Sequence, residues 1–309
     1  MRTKNFLLLL ALAALWGPSF LFIKVTVEEI PPFTLVLGRV GPAALVLYLV
    51  LRRRGVRLPR FGLAWRHYGV MAFFGNALPF VMFSWGEQYI DSALAAILNG
   101  TTPLFTIILA HFFLADDRMT PAKLAGILLG FGGLALLIGP SLFGGVQATT
   151  WGLLAVTVAA ASYGVGIVYA RKHLRGLPPL MAPTAQLLIA TLYMLPLSLL
   201  IEQPFRLPAP SWPVIGSWLA LSLLGTALAF VLYYRIIEQT SATYLSMVTY
   251  LVPVFGVIAG VVVLGETLGW NAYLGCGLIL LGVMVVNGLL RSIRWRLRPG
   301  QVVKGEQIS

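Results

Sequence analysis

The chain has 309 residues, of which 59% are hydrophobic and only 10% charged, against roughly 25% charged in soluble domains. So little polar material cannot cover a soluble fold of this length, and the chain reads as a membrane protein. The net charge of +12 invites nucleic-acid binding, but the basic residues gather beside apolar segments and form no separate polar domain. They read as orientation signals, and nucleic acid is excluded as a partner. A lone Cys276 excludes an intrachain disulfide and a cysteine-based metal cluster.

Ten apolar segments follow one another at 6–27, 33–51, 68–86, 92–114, 123–140, 151–170, 181–201, 212–234, 242–263 and 271–290. Most approach the roughly 20 apolar residues that a spanning helix needs, and the fifth is expected to be short. The segments lack the alternation of barrel strands, so helices are predicted throughout. The first segment lacks a small-residue cleavage site and is read as a retained helix. With the N-terminus placed inside, 19 of the 22 lysines and arginines fall on the inner side and one, Arg206, outside; Lys24 and Arg39 lie within spans. This bias predicts an even number of spans with both termini cytoplasmic.

The chain also repeats itself. Pro103 and Phe105 match Pro253 and Phe255 at an offset of 150, as do Asp116 and Glu266, Gly75 and Gly225, and Phe80 and Phe230. Trp16-Gly17 matches Tyr163-Gly164, and Lys24 matches Arg171, at an offset of 147. Two five-helix halves, 1–140 and 151–290, are therefore expected, followed by a basic cytoplasmic tail, 291–309. Because five is odd, the second half must enter the membrane inverted. Inverted repeats are a common transporter plan, since one pattern in two orientations gives two related, oppositely facing states.

The residues that carry this plan also resemble a known family. Leu15-Trp16-Gly17-Pro18-Ser19-Phe20 with Lys24, then Arg39, are followed by Pro103 with Asp116 and by Pro253 with Leu264-Gly265-Glu266-Thr267. Gly126 and Gly133 parallel Gly275 and Gly282. Over 6–290 the chain is similar to the EamA-like branch of the drug/metabolite transporter superfamily. The resemblance implies a ten-helix bundle with cytoplasmic termini, a central cavity, and export of amino acids or other small metabolites. Gln186 takes the Arg39 register and Arg235 that of Trp85, so the halves are expected to contribute unequally.

Charge inside a bilayer is expensive and faces protein or water. Lys24 is read as a snorkelling residue or a gate cation. Arg39 is read as an ion-pair partner of Glu28, Glu29 or Glu87, or as a substrate or gate residue. No carboxylate stands out at mid-membrane, and Glu87, Asp91 and Glu266 fall near outer ends, which favours a neutral, zwitterionic or anionic solute over an organic cation. Trp16, Trp85, Tyr163 and Tyr244 are candidate cavity aromatics, and Asn76, Asn99, Thr102, Gln186 and Thr249 candidate hydrogen-bonding groups. Pro18, Pro103 and Pro253 are candidate hinges, since proline removes a helix donor. His111 has no partner at metal-ligand spacing.

The expectation is a multi-pass inner-membrane secondary transporter for a small solute, working by alternating access, exporting, and functional as a monomer among membrane lipids without a cofactor. A flippase for a lipid or lipid-linked solute is the alternative. An intramembrane enzyme is a weaker one, for want of His-Glu-x-x-His, paired aspartates or a supported nucleophile.

Overall fold

The computed structural model describes residues 3–143, 147–174, 180–240 and 242–288. Among the described residues, eight helices are long and apolar enough to cross a membrane. They are α1 (Thr3–Thr26), α2 (Pro32–Arg53), α3 (Leu63–Gly86), α4 (Ser92–Phe113), α5 (Pro121–Ser141), α6 (Ala148–His173), α7 (Met181–Glu202) and α8 (Trp212–Ile236). Two shorter apolar helices follow, α9 (Val248–Leu264) and α10 (Trp270–Val286). The fifth segment is thus longer than its sequence suggests, and the short helices come last. The tail 291–309 lies outside the described residues.

Prolines and small polar residues set the interruptions. α1 breaks between Trp16 and Ser19, at Gly17-Pro18. α4 breaks between Asn99 and Thr102, just before Pro103. A short helix, Ala242–Leu245, precedes α9 and is separated from it at Ser246-Met247, whereas Pro253 sits inside continuous helix. Among the described residues, three wide π-helical turns lie at Phe73–Ala77 in α3, Ser198–Glu202 in α7 and Leu223–Leu228 in α8.

Packing respects an exchange of the two halves. α2 packs on α7, α4 on α9 and α5 on α10; α1 meets α8 and α9 as α6 meets α3 and α4; and α2 touches α8 as α7 touches α3. Lipid offers no hydrophobic drive for helices to associate, so small residues that allow close approach matter most. Along the α5–α10 seam, a Cβ added at Gly126 would stand 2.7 Å from the carbonyl oxygen of Gly282, and one at Gly133 2.7 Å from that of Gly275. Gly17 lies against Phe255 and Gly256, and Gly164 lies against Phe105 and Thr106, the same contact in the other half.

The two ends of the bundle differ. At the acidic end, carboxylates bind exposed helix N-termini, whose free N–H groups and dipole favour negative charge. Glu202 accepts from the main-chain nitrogens of Phe33 (2.8 Å) and Thr34 (2.6 Å). Glu266 accepts from those of Ser92 (2.8 Å) and Ala93 (2.9 Å), and Glu29 from that of Ser211 (2.6 Å). At the basic end Arg171 of α6 pairs with Asp116 and Asp117 in the α4–α5 loop. There, too, His67 Nδ1 lies 2.8 Å from the Tyr169 hydroxyl.

Candidate functional site

The π-helical turns of α3 and α8 build the site. Such turns widen a helix, and they recur at functional sites because they re-aim a side chain. In α3 the amide of Asn76 donates to the carbonyl of Met71, five residues earlier, at 3.4 Å. In α8 the hydroxyl of Thr226 donates to the carbonyl of Leu221, again five residues earlier, at 2.9 Å. Each side chain thereby bonds a carbonyl of the turn that precedes or opens the widened stretch. Each also reaches across to the opposite half. Asn76 Nδ2 donates to Gln186 Oε1 of α7 at 3.3 Å, and Arg39 Nε of α2 donates to Thr226 Oγ1 at 3.1 Å. These two crossings are equivalents of one another in the repeat.

Arg39 is buried, at 6% exposure. Its guanidinium carbon stands 3.6 Å from the centroid of the Phe80 ring, an arrangement that strengthens when desolvated. Its main-chain carbonyl accepts from Ser222 at 2.8 Å, which locks the register of α2 on α8. Among the described residues neither Nη atom has a protein acceptor and no carboxylate forms an ion pair with it. Glu28 and Glu29 are exposed, so the ion pair considered from the sequence is not formed with them. Guanidinium offers five donors in a planar fork suited to carboxylate, and four are left here for another group.

An aromatic chain extends from Arg39. Phe80 lies 6.5 Å from Tyr163, Tyr163 lies 6.0 Å from Phe83, and Phe83 lies 5.3 Å from Phe20. Trp16, at the break in α1, packs at a tilt against Tyr233 of α8, with ring centroids 5.8 Å apart. Of the sequence candidates, Arg39, Asn76, Gln186 and Tyr163 are thus assembled with Thr226, Phe80 and Phe83. Asn76 Oδ1 is buried and without a hydrogen-bond partner, which leaves one acceptor beside the Gln186 pair.

Other candidates serve elsewhere. Lys24 does not snorkel; its ammonium donates to the carbonyls of Glu87 (2.8 Å) and Ile90 (2.9 Å), closing the turn after α3. Trp85 packs edge-on against Tyr89. Asn99 marks the end of the first half of α4, and the buried hydroxyl of Thr102 opens the second half with no partner. Thr249 donates to the Ser246 carbonyl at 2.7 Å, and Tyr244 lies half-buried on the short helix before α9. Sequence reasoning missed Thr226, whose signal was its place at an offset of 150 from Asn76. It also placed Glu87 merely near an outer end, whereas Glu87 is wholly buried.

A helical bundle that buries an arginine with spare donors among aromatics and opposed polar pairs has the makings of a solute-handling membrane protein. The comparisons place it. The model of the EamA-like transporter family matches residues 3–139 and again 150–288, and the chain belongs to that family. It is therefore a multi-pass membrane transporter, and not an enzyme. It is 26% identical to the uncharacterized transporter YoaV of Bacillus subtilis, over 91% of this chain and 96% of that one. It is 28% identical to the uncharacterized inner membrane transporter YedA of Escherichia coli K12, over 90% and 89% of the two chains. One solved crystal structure superposes with a TM-score of 0.64 at 24% identity, covering 95% of this chain and 99% of the other, which speaks for the fold.

Proposed function

We propose that this protein is a secondary transporter of the inner membrane that moves a small carboxylate-bearing metabolite, an amino acid or related polar solute, outward by alternating access. The observation that carries the reading is Arg39: a buried guanidinium with one protein hydrogen bond and, among the described residues, no ion-paired carboxylate. A solute carboxylate supplies both the charge and the acceptors that the fork lacks. The exchange symmetry of helix packing and the matched π-helical turns support two inverted five-helix halves, 1–140 and 151–290, giving ten spans. The excess of lysine and arginine at the basic end supports cytoplasmic termini. Both halves of the site lie in one chain, which supports a monomer as the working unit.

The test is thermal stabilisation of the purified protein by amino acids, organic anions, sugars and nucleotide-like metabolites, followed by flux of the best ligand in proteoliposomes. Saturable flux of a carboxylate-bearing solute, lost in Arg39→Ala, is expected. Binding and flux unchanged in Arg39→Ala would remove the carrying observation. Lipid translocation without solute flux would turn the assignment to a flippase.

A further inference from the structure

The connection between α2 and α3, at the basic end, gathers six arginines: Arg52, Arg53, Arg54, Arg57, Arg60 and Arg66. All six are exposed, and none forms an ion pair among the described residues. The chain holds no Asp or Glu between Glu29 and Glu87, which both belong to the opposite end of the bundle. At the basic end Asp117 is engaged by Lys123 and Arg171, and Asp116 by Arg171.

Orientation needs only positive charge beside a span, and a loose loop would supply it. This connection is built. The amide of Gly55 donates to the Arg52 carbonyl at 3.0 Å and that of Val56 to the Leu51 carbonyl at 3.2 Å, closing the end of α2, with Gly55 in the left-handed region at φ 73°. Val56 and Leu58 pack against the core. The indole of Trp65 donates to the Pro59 carbonyl at 3.2 Å, and its ring meets the buried Tyr68 edge-on at 6.0 Å. These fastenings hold the segment down while Arg57 and Arg60 stay in the open. Phe61 lies flat on Trp65, with centroids 4.6 Å apart, yet is 89% exposed, and Leu63 beside it is 66% exposed. Fixed guanidiniums therefore stand next to an apolar tip, at the level where two spans leave the bilayer. Water suits the arginines and not the tip; hydrocarbon suits the tip and not the arginines. The boundary of headgroup and acyl chain suits both. Guanidinium forks match phosphate oxygens, and a surface of anionic lipid attracts clustered basic residues.

We propose that the α2–α3 connection is a binding site for anionic phospholipid. Headgroup phosphates lie on the arginine cluster, and Phe61 and Leu63 enter the upper acyl region. The site is separate from the buried Arg39 region and independent of which solute is moved.

The experiment titrates the full chain in nonionic detergent with phosphatidylglycerol, with phosphatidylcholine as the zwitterionic comparison and inorganic phosphate as the free anion. Native mass spectrometry counts bound lipid, and the melting temperature is followed in parallel. Saturable binding of phosphatidylglycerol in preference to phosphatidylcholine, with a raised melting temperature, is expected. Joint substitution of Arg53→Gln, Arg57→Gln and Arg60→Gln is expected to weaken that binding about 100-fold, roughly fivefold for each arginine. The set Lys4→Gln, Lys172→Gln and Arg235→Gln removes the same charge from other exposed positions and is expected to bind as wild type. Phe61→Ser keeps all six arginines and is expected to weaken lipid binding without changing the response to phosphate. An equal loss in both triple variants overturns the site in favour of general charge. Equal binding of the two lipids overturns it as well. Stabilisation by inorganic phosphate that matches phosphatidylglycerol, or unchanged lipid binding in Phe61→Ser, overturns the lipid as its occupant. Each of these outcomes leaves the transport reading standing, since no flux is measured.

Discussion

In α3 the widened turn at Asn76 meets Gln186, and in α8 the widened turn at Thr226 meets Arg39. The backbone device is the same in both halves, down to the side-chain bond to the carbonyl five residues earlier. The partner differs: one crossing is neutral and keeps a free acceptor at Asn76 Oδ1, the other carries a cation with donors to spare. The wide turn therefore belongs to the repeat, and the charge belongs to one half. A solute bound between the halves meets an asymmetric pair of walls. On the proposed reading, that asymmetry would give the carboxylate end of the solute a fixed place.

The sharpest way to break this comparison is to make the two crossings alike. Arg39→Gln leaves both neutral. A hydrogen bond to a charged group is worth roughly 1.5–3 kcal/mol, so the apparent affinity for a carboxylate solute falls about 10–100-fold, measured as Km for flux. Gln186→Leu touches the neutral crossing and leaves Asn76 with one partner fewer. A neutral hydrogen bond is worth roughly 0.5–1.5 kcal/mol, so a loss of about 2–10-fold is expected in the same assay. If Gln186→Leu proved the more damaging of the two, the charged half would not be the discriminating one. Thr226→Val removes the acceptor that orients Arg39 Nε while sparing the Phe80 contact, and an effect of about threefold on Km, in the lower part of that same range, is expected.

The comparison recurs, more weakly, at the ends of α1 and α6, where Lys24 and Arg171 are equivalents. Lys24 binds carbonyls; Arg171 binds carboxylates. Burial pushes the Asp117 carboxyl up, but hydrogen bonds from Lys123 and Arg171 more than offset this and hold it below its ordinary 3.8. A depressed carboxyl contributes stability above its ordinary value and loses it as pH falls through the lowered one. The pair is partly exposed, Arg171 at 40% and Asp117 at 21%, so solvent screening limits the contribution to about 1 kcal/mol or less. Asp117→Asn should lower the melting temperature slightly at neutral pH, and the gap from wild type should close in acid below 3.8. A gap that persists there would assign the loss to packing.

Much of this was legible in the residues. Apolar runs placed the helices, the offsets of 150 and 147 set the equivalences, and the Arg39–Gln186 register announced unequal halves. What escaped has physical reasons. A π-helical turn costs one extra residue and leaves no compositional mark, so the widening at Asn76 and Thr226 could not be read beforehand, although their offset of 150 paired the two positions. The break before α9 falls at Ser246-Met247 and not at Pro253, because proline at that point is accommodated within the helix. Burial of Glu87 depends on α1 folding over the turn after α3, a contact between residues 63 positions apart. An acidic residue at a segment end looks the same in sequence whether it faces water or lies under a neighbouring helix.

The glycine seam between α5 and α10 has a mechanical side. Backbone lies on backbone there, with no room for a Cβ at Gly126, Gly133, Gly275 or Gly282. Flexible side chains can tolerate sliding by changing rotamer, but bare backbones in contact have nothing to yield. Under the proposed alternating access, the pair would serve as a stator, a fixed post against which the other helices move.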